Sequence, residues 1–432
     1  RGLGDVYKRQ MMTITELQQR YAAHPNVEAM SGLLKNPSVR TLFCGGLCAS
    51  AASLFSSVLV QRGEFPFVFI LGDLEEAGYF YHDLTQVLGT DKVLFFPSSF
   101  RRAIKYGQKD AANEILRTEV LSRLQKGEEG LCVVTYPDAL AEKVVSRKEL
   151  GDKTLKLHSG ENVDTNFIME VLRSYGFEYV DYVYEPGQYA VRGSIIDVFS
   201  FSSEFPYRID FFGDEVESIR TFEVETQLSK EKKDSIVIVP DLSRSLEQGG
   251  ASGMVSFLDF LSADTVLAMR DLLWLRERIQ TVHDETLTPQ AIAAREAEES
   301  GCITLDGKLI DGSEFTLRAL DFRRMEFGNK PTGTPDATIT FDTSAQPIFR
   351  KNFDMVAESF KEYMEKGYAL YICSDSMKQT DRIRAIFEDR GDQIAFTAVE
   401  RTLHEGFADN ALRLCIFTDH KLFTIYIIHF VK

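Results

Sequence analysis

The chain has 432 residues, of which 44% are hydrophobic and 26% are charged. This composition is typical of globular proteins and excludes collagen-like, low-complexity and wholly disordered chains. The length is sufficient for several domains, each with its own core. Lys and Arg number 49 against 65 Asp and Glu, which gives a net charge of −16. A protein with this charge does not hold nucleic acid through its overall electrostatic field, so protein partners are expected.

Cysteine usage and hydropathy predict a cytoplasmic protein. The six cysteines are scattered, and several lie in apolar, strand-like runs, which indicates reduced thiols rather than a disulfide framework. No apolar run reaches the roughly 18 residues of a membrane span, so no membrane contact is expected. Residues 1–10 have no hydrophobic period and are interpreted as a non-native segment, and residues 424–432 as a truncated or aberrant tail. We therefore expect a fragment of a longer protein.

The first part of the chain, residues 11–150, alternates apolar strands with helices. Such alternation predicts a parallel sheet covered by helices on both faces. The predicted strands are 39–44, 67–71, 92–96 and 130–135, and the predicted helices are 13–35, 49–60, 74–88 and 109–124.

The pattern changes between residues 151 and 232. One helix is predicted at 162–174, followed by strands with a period of two. Residues 189–199 read as a single strand, and strands 208–212 and 216–220 are joined by a Gly213-Asp214 turn typical of antiparallel hairpins. We predict a small α+β domain inserted into the α/β domain, whose second part spans 233–326.

A Gly-, Pro- and Thr-rich segment, 327–347, is predicted to be a linker. Beyond it, residues 348–423 predict a second compact α/β domain, with helices at 348–366 and 377–390 and strands at 369–373, 393–396 and 412–417.

A nearly complete phosphate-binding loop follows the strand at 39–44. The P-loop pattern places a Lys and a Ser or Thr after its second Gly, so that the loop holds phosphates and Mg²⁺. Here Gly46 and Ser53 are retained, but Ala51 and Ala52 stand where Gly and Lys belong. Without the lysine, no cation offsets a triphosphate, and Ala51 adds a Cβ where glycine is usually needed. The loop is therefore interpreted as a degenerate nucleotide loop or as small residues required for packing.

The most distinctive segment lies between residues 185 and 220. It contains Pro-Gly at 186–187, Arg-Gly at 192–193, Ile-Asp at 196–197 and 209–210, and Phe-Phe-Gly-Asp-Glu at 211–215. In this order the elements resemble a signature shared by the bacterial excision-repair protein UvrB and the N-terminal part of transcription-repair coupling factors. An intact phosphate loop would be expected in UvrB, so the loop at 46–53 favours the coupling factors.

The resemblance implies a fold and a function. The expected fold is a degenerate P-loop, helicase-like parallel-sheet domain with the inserted small α+β domain, followed by the second α/β domain. The implied function is that of a noncatalytic module that recruits UvrA in transcription-coupled nucleotide excision repair of DNA. RNA polymerase and DNA would be bound only by domains outside this chain, and ATP and Mg²⁺ only by the motor among them. The module would also contact that C-terminal half, and no cofactor or metal is expected here.

Three residues are candidates for UvrA binding. Arg192 interrupts an apolar strand, and arginine is favoured at interface hot spots; the resemblance places this Arg-Gly position on the surface that faces UvrA. Its alternative role is that of a charge on a solvated sheet face. Arg173 is a weaker candidate, because a charge at a helix C-terminus also complements the helix dipole. Ile195 and Ile196 point to opposite faces, so that one is core and the other, Ile196 in our prediction, is an apolar contact.

Two alternative functions remain open at this point. The chain could be part of a UvrB-like ATPase with a relaxed phosphate loop, or an architectural module that restrains the motor of the full protein. No catalytic residues are predicted, because the His residues are dispersed and no nucleophile, base and acid set can be assembled.

Overall fold

The computed structural model describes residues 11–99, 111–242, 253–288, 307–349 and 352–423. The segments 1–10 and 424–432, predicted to be a non-native extension and an aberrant tail, lie outside the described residues. All statements about the fold below concern the described ranges.

The strands are short and numerous. In chain order they are β1 (Met11–Thr13), β2 (Thr41–Gly45), β3 (Phe67–Ile70), β4 (Val93–Phe96), β5 (Cys132–Thr135), β6 (Val144–Val145), β7 (Leu155–His158), β8 (Glu178–Tyr179), β9 (Gln188–Arg192), β10 (Ile195–Val198), β11 (Tyr207–Phe212), β12 (Glu215–Phe222), β13 (Ser229–Lys233), β14 (Ser235–Ile238), β15 (Met254–Val255), β16 (Val266–Met269), β17 (Arg323–Gly328), β18 (Ala337–Thr340), β19 (Thr343–Ala345), β20 (Ala369–Ser374), β21 (Thr397–Glu400), β22 (Phe407–Asp409) and β23 (Leu414–Thr418).

The helices are mostly amphipathic and connect the parallel strands. They are α1 (Ile14–Ala22), α2 (Pro25–Lys35), α3 (Ala51–Arg62), α4 (Leu74–Leu88), α5 (Ala111–Lys126), α6 (Pro137–Ala141), α7 (Arg147–Asp152), α8 (Thr165–Ser174), α9 (Leu272–Thr286), α10 (Gly312–Ala319), α11 (Phe353–Glu365), α12 (Met377–Asp389) and α13 (Asp419–Phe423), with a 3₁₀ turn at Phe257–Phe260.

The predicted helix 13–35 is two helices in the structure. Thr13 caps α1 through a capping box with Glu16. The break follows from His24 and Pro25: Pro25 occupies the first turn of α2, and the ring nitrogen Nδ1 of His24 accepts a hydrogen bond from the N–H of Asn26. Proline starts helices readily but cannot continue one, so the chain turns here.

The large sheet has seven strands in the order β18-β2-β17-β16-β3-β5-β4. Every neighbouring pair is parallel, which confirms the predicted parallel α/β sheet. All residues of β3, β4, β5 and β16 are buried. Such continuous apolar runs are typical of parallel strands covered on both faces.

The small domain has a six-stranded sheet in the order β13-β12-β11-β10-β9-β8. The predicted single strand 189–199 is a hairpin, because Gly193 adopts a φ of 63° and turns the chain so that β9 and β10 pair antiparallel. Helix α8 covers one face, where Ile168 and Leu172 pack into the apolar core of the domain. Past residue 232, where the sequence predicts a boundary, β14 pairs with β7.

The second α/β domain has a mixed sheet in the order β1-β21-β20-β23-β22-β19. Its edge strand β1 comes from the N-terminal end of the described chain, and β19 comes from the predicted linker. The linker also supplies β18 to the large sheet, so it joins the two sheets by pairing with both. The strand predicted at 393–396 lies at 397–400 instead. One apolar core runs from the large sheet into this domain and includes Tyr371 and Ile416.

Candidate functional site

The face of the small sheet opposite α8 carries a network built around Asp197. Its carboxylate is completely buried, at 0% side-chain exposure, and accepts hydrogen bonds from two arginines. Arg208 binds both carboxylate oxygens, with Nε and Nη2 each 2.8 Å away, and Arg192 contacts Oδ2 through Nη2. These hydrogen bonds to Asp197 raise the pKa of the Arg208 guanidinium above its ordinary value.

A second ion pair lies beside this network. Arg220 of β12 contacts the Asp210 carboxylate, which also accepts a hydrogen bond from the Ser218 hydroxyl at 3.0 Å. We call Arg192, Asp197, Arg208, Asp210 and Arg220 the arginine face. Among these five residues, three guanidinium groups meet two carboxylates.

Phe212 extends the arginine face with an apolar group. Its neighbour Phe211 is buried in the core of the small domain, and successive strand residues point to opposite faces. Phe212 is therefore on the face of Arg208 and Asp210, where its side chain is 77% exposed. A large exposed aromatic beside arginines is typical of the energetic centre of a protein interface.

The structure separates the three residues predicted to bind UvrA. Arg192 lies on the arginine face, where its side chain is 36% exposed. Arg173 is exposed at the end of α8, on the opposite side of the sheet, and its Nε donates to the Tyr189 hydroxyl at 3.2 Å. Ile196 is 1% exposed and packs in the core, which corrects its prediction as a surface contact. Ile195 is the half-exposed member of the pair.

Sequence reasoning assigned no role to Arg208, Asp197 or Phe212, although all three lie within the quoted motif. A signal for Phe212 was present, because two consecutive phenylalanines in a period-two strand must place one on the solvated face. The contacts of Asp197 could not be derived from the sequence, because they depend on how β9, β10 and β11 pair.

The loop between β2 and α3 begins at Gly46, and Ala51, Ala52 and Ser53 are the first three residues of α3. Ala51 is fully buried, and Ser53 is 2% exposed. The Ser53 hydroxyl lies 2.9 Å from the Ser50 carbonyl and 2.7 Å from the Asp83 carboxylate, to which it can donate. A serine used in this way offers its hydroxyl to the protein rather than to a metal ion.

Residues from the second sheet cover this loop. The Cys48 N–H donates to the Thr343 hydroxyl, and that hydroxyl donates to the Gly46 carbonyl at 2.6 Å. The His404 N–H donates to Asp83 at 2.6 Å, and the Glu405 N–H donates to the Ser50 hydroxyl at 2.9 Å. The two residues of each of these contacts are more than 300 positions apart in the sequence. The loop is therefore a contact between the two α/β domains.

Two histidines at this contact have a lowered pKa. Burial lowers the pKa of His24 and of His404 from the ordinary value of 6.5, although nearby Asp409 and Asp83, respectively, oppose the shift. The His404 ring also stacks on Tyr79, with 3.4 Å between ring centroids.

Acidification is therefore expected to destabilise the chain. A histidine with a lowered pKa stays neutral in the folded state and becomes protonated on unfolding, so its contribution to stability is complete above the unfolded pKa of 6.5 and is lost as pH falls below it. Urea denaturation between about pH 7.5 and about pH 5.5 measures this loss. In the double variant His24→Gln/His404→Gln the loss should be smaller; an equal loss in both proteins would contradict the assignment.

Within the described residues, no group of three metal-ligating side chains is arranged to hold a metal ion. In the same residues, no helix combines the length and the apolar character needed to cross a membrane.

Comparisons with known proteins agree with the sequence motif. Residues 155–243 match the family described as the UvrB interaction domain, and they contain the whole arginine face. The Bacillus subtilis transcription-repair-coupling factor is 30% identical over 229 residues, covering 51% of this chain and 19% of that protein. The Escherichia coli protein of the same name is 28% identical over 198 residues, covering 45% and 17%.

A longer match extends the similarity to most of the chain. A Staphylococcus aureus transcription-repair-coupling factor is 21% identical over 445 aligned positions, covering 88% of this chain and 38% of that protein. The chain thus spans less than two fifths of the length of these curated relatives. The resemblance to transcription-repair coupling factors that the sequence predicted is confirmed.

Proposed function

We propose that this chain, which resembles the N-terminal part of transcription-repair coupling factors, recruits UvrA in transcription-coupled nucleotide excision repair and catalyses no reaction itself. The observation that carries the proposal is the coincidence of the UvrB interaction domain match with an exposed face that joins arginines and an aromatic anchor. Contacts with RNA polymerase and DNA are assigned to parts of the relatives that this chain does not span.

The chemistry of the arginine face supports a protein partner. Among its five residues arginines outnumber carboxylates, although the chain as a whole has a net charge of −16. Arg192 and Phe212 are accessible, and together they suit a surface that offers carboxylates around an apolar recess. Arginine and aromatic residues at the centre of such a surface supply most of the binding free energy in protein complexes.

The loop at 46–53 supports the noncatalytic part of the proposal. Ala52 has no charge to offer a triphosphate, and the Ser53 hydroxyl is engaged with Asp83. The Cys48 N–H of the loop donates to the Thr343 hydroxyl, and the Ser50 hydroxyl accepts from the Glu405 N–H. A nucleotide bound to the loop would therefore have to displace the second α/β domain. These contacts favour the noncatalytic role over the UvrB-like ATPase alternative.

The test is a titration of the 432-residue chain with UvrA, with ATP turnover recorded in the same samples. We expect Phe212→Ala and Arg192→Ala each to weaken binding by about tenfold or more. Phe167→Ala is the matched control, because Phe167 is 53% exposed on α8, which covers the other face of the sheet. Its affinity should stay within about twofold of the unaltered chain.

Two outcomes would overturn the proposal. Absence of binding at micromolar concentrations would remove UvrA recruitment and favour the architectural role, which predicts binding to the remaining part of a coupling factor supplied in trans. ATP turnover that disappears in Ser53→Ala would instead support the ATPase alternative.

A further inference from the structure

Asp197 occupies an unusual place for an acidic side chain. It is the third residue of β10 and pairs directly with Arg208 of β11, so its carboxylate lies in the middle of the sheet face. No part of the side chain is exposed to solvent. Removing a carboxylate from water costs several kcal/mol unless charged donors replace the lost hydration, and here two guanidinium groups do so.

Each of these two arginines is also held by a second group. The Arg208 guanidinium donates from Nη1 to the Gln227 carbonyl at 3.1 Å and lies over the Phe222 ring, 4.5 Å from its centroid. The Arg192 guanidinium lies over the Tyr182 ring at 5.1 Å. The planes of both guanidinium groups are thus defined before any partner arrives.

We infer that Asp197, itself bound by the largely buried Arg208, is a positioning residue that holds Arg192 in a fixed orientation for a carboxylate on the surface of UvrA. The inference rests on the proposed function and adds the chemistry of recognition to it. One carboxylate neutralises one of the two arginines, and a unit of positive charge remains for the partner. Because the Arg192 side chain is already ordered, binding loses less conformational entropy than it would with a free arginine. Lysine could not replace arginine in this role, because only the planar guanidinium group offers two parallel N–H donors to one carboxylate.

The test compares two isosteric variants that change the charge of the same face equally. Asp197→Asn removes the carboxylate that holds two arginines, whereas Asp210→Asn removes the one that holds Arg220. A positioning role predicts that Asp197→Asn weakens UvrA binding by about tenfold even though the face becomes more positive. Asp210→Asn, which raises the charge of the face by the same amount but leaves the contacts of Asp197 in place, should bind UvrA more tightly.

If Asp197 acted only through its charge, the change in UvrA affinity caused by Asp197→Asn would have the opposite sign. An acidic partner would bind the more positive Asp197→Asn variant more tightly and with a steeper salt dependence, and that result would overturn the inference. Unaltered affinity would overturn it as well. If the unaltered chain fails to bind UvrA, the proposed function and the named partner both fail, so the two failures are distinguishable.

A second measurement needs no partner. The Nε–H of Arg208 donates to Asp197, so its NMR signal should exchange slowly with solvent in the unaltered chain and rapidly in Asp197→Asn. Equal exchange in both proteins would contradict the positioning role. Should Asp197→Asn fail to fold, Arg192→Lys keeps the charge at a partly exposed position but loses the fork. It should weaken UvrA binding by about tenfold with unchanged thermal stability, and unaltered binding would overturn the inference.

Discussion

Replacing Gly46 by alanine is expected to lower the free energy of unfolding by about 4 kcal/mol. Gly46 has a φ of 83°, where an L-residue is strained, and an added Cβ would overlap the carbonyl oxygen of Phe341. Phe341 cannot easily move away, because its N–H donates to the Gly45 carbonyl and its ring packs edge-on against Phe55. Urea denaturation of the unaltered chain and the variant measures the difference.

Gly63 provides the matched control for this substitution. It has a φ of 63° at the end of α3, and a Cβ there would meet no heavy atom within 4 Å. Gly63→Ala therefore carries the backbone strain without the overlap, and a cost of about 1 kcal/mol is expected. Equal costs at the two positions would show that the close approach of Phe341 to the loop has no energetic importance.

Removing the Asp83 carboxylate is expected to cost about 3 kcal/mol and to loosen the contact between the two α/β domains. In Asp83→Ala, the Ser53 hydroxyl and the His404 N–H lose their shared acceptor, at 2.7 and 2.6 Å respectively. Hydrogen bonds to a buried charged acceptor are worth more than neutral ones, and donors left without an acceptor inside the protein lose their hydration as well. Amide hydrogen exchange at residues 403–407 should rise together with the loss of stability.

Asp73→Ala on the same helix is the control for Asp83→Ala. The Asp73 carboxylate caps α4 by accepting from the Glu76 N–H at 2.9 Å in an exposed position. Loss of a helix cap costs about 1 kcal/mol and should leave exchange at 403–407 unchanged. If Asp83→Ala behaves like Asp73→Ala, the contact between the domains does not depend on this carboxylate.

Both predictions concern the loop at 46–53. A ligand site would need this loop to be accessible, whereas a packing contact needs it to be covered. A phosphate loop must leave its backbone donors accessible to an anion. In this chain the second α/β domain meets the loop directly through Thr343 and Glu405, and His404 reaches it through Asp83, which also binds Ser53. We therefore expect the loop to contribute stability, while the arginine face, on a different domain, contributes partner binding.

Local patterns in the sequence were sufficient for much of the architecture. The apolar run at 67–70 and the helix at 74–88 lie where they were predicted, because continuous apolar residues and helical periodicity act over a few neighbours. The Gly213-Asp214 turn likewise joins β11 and β12. Two of the errors fell where a single residue interrupts a pattern: Pro25 divides a helix, and Gly193 turns a strand into a hairpin.

The sequence by itself determined the parallel α/β class, the antiparallel strands of the small domain and, through the motif at 185–220, the resemblance to coupling factors. Only the tertiary structure decided that Ile196 is core, that Arg192 and Arg208 share the buried Asp197, and that residues 341–345 and 403–407 cover the loop. The physical reason is the distance along the chain that separates the interacting residues. Helix and strand patterns arise from residues close in the chain, whereas burial and ion pairing arise from strand register and from packing between segments hundreds of residues apart.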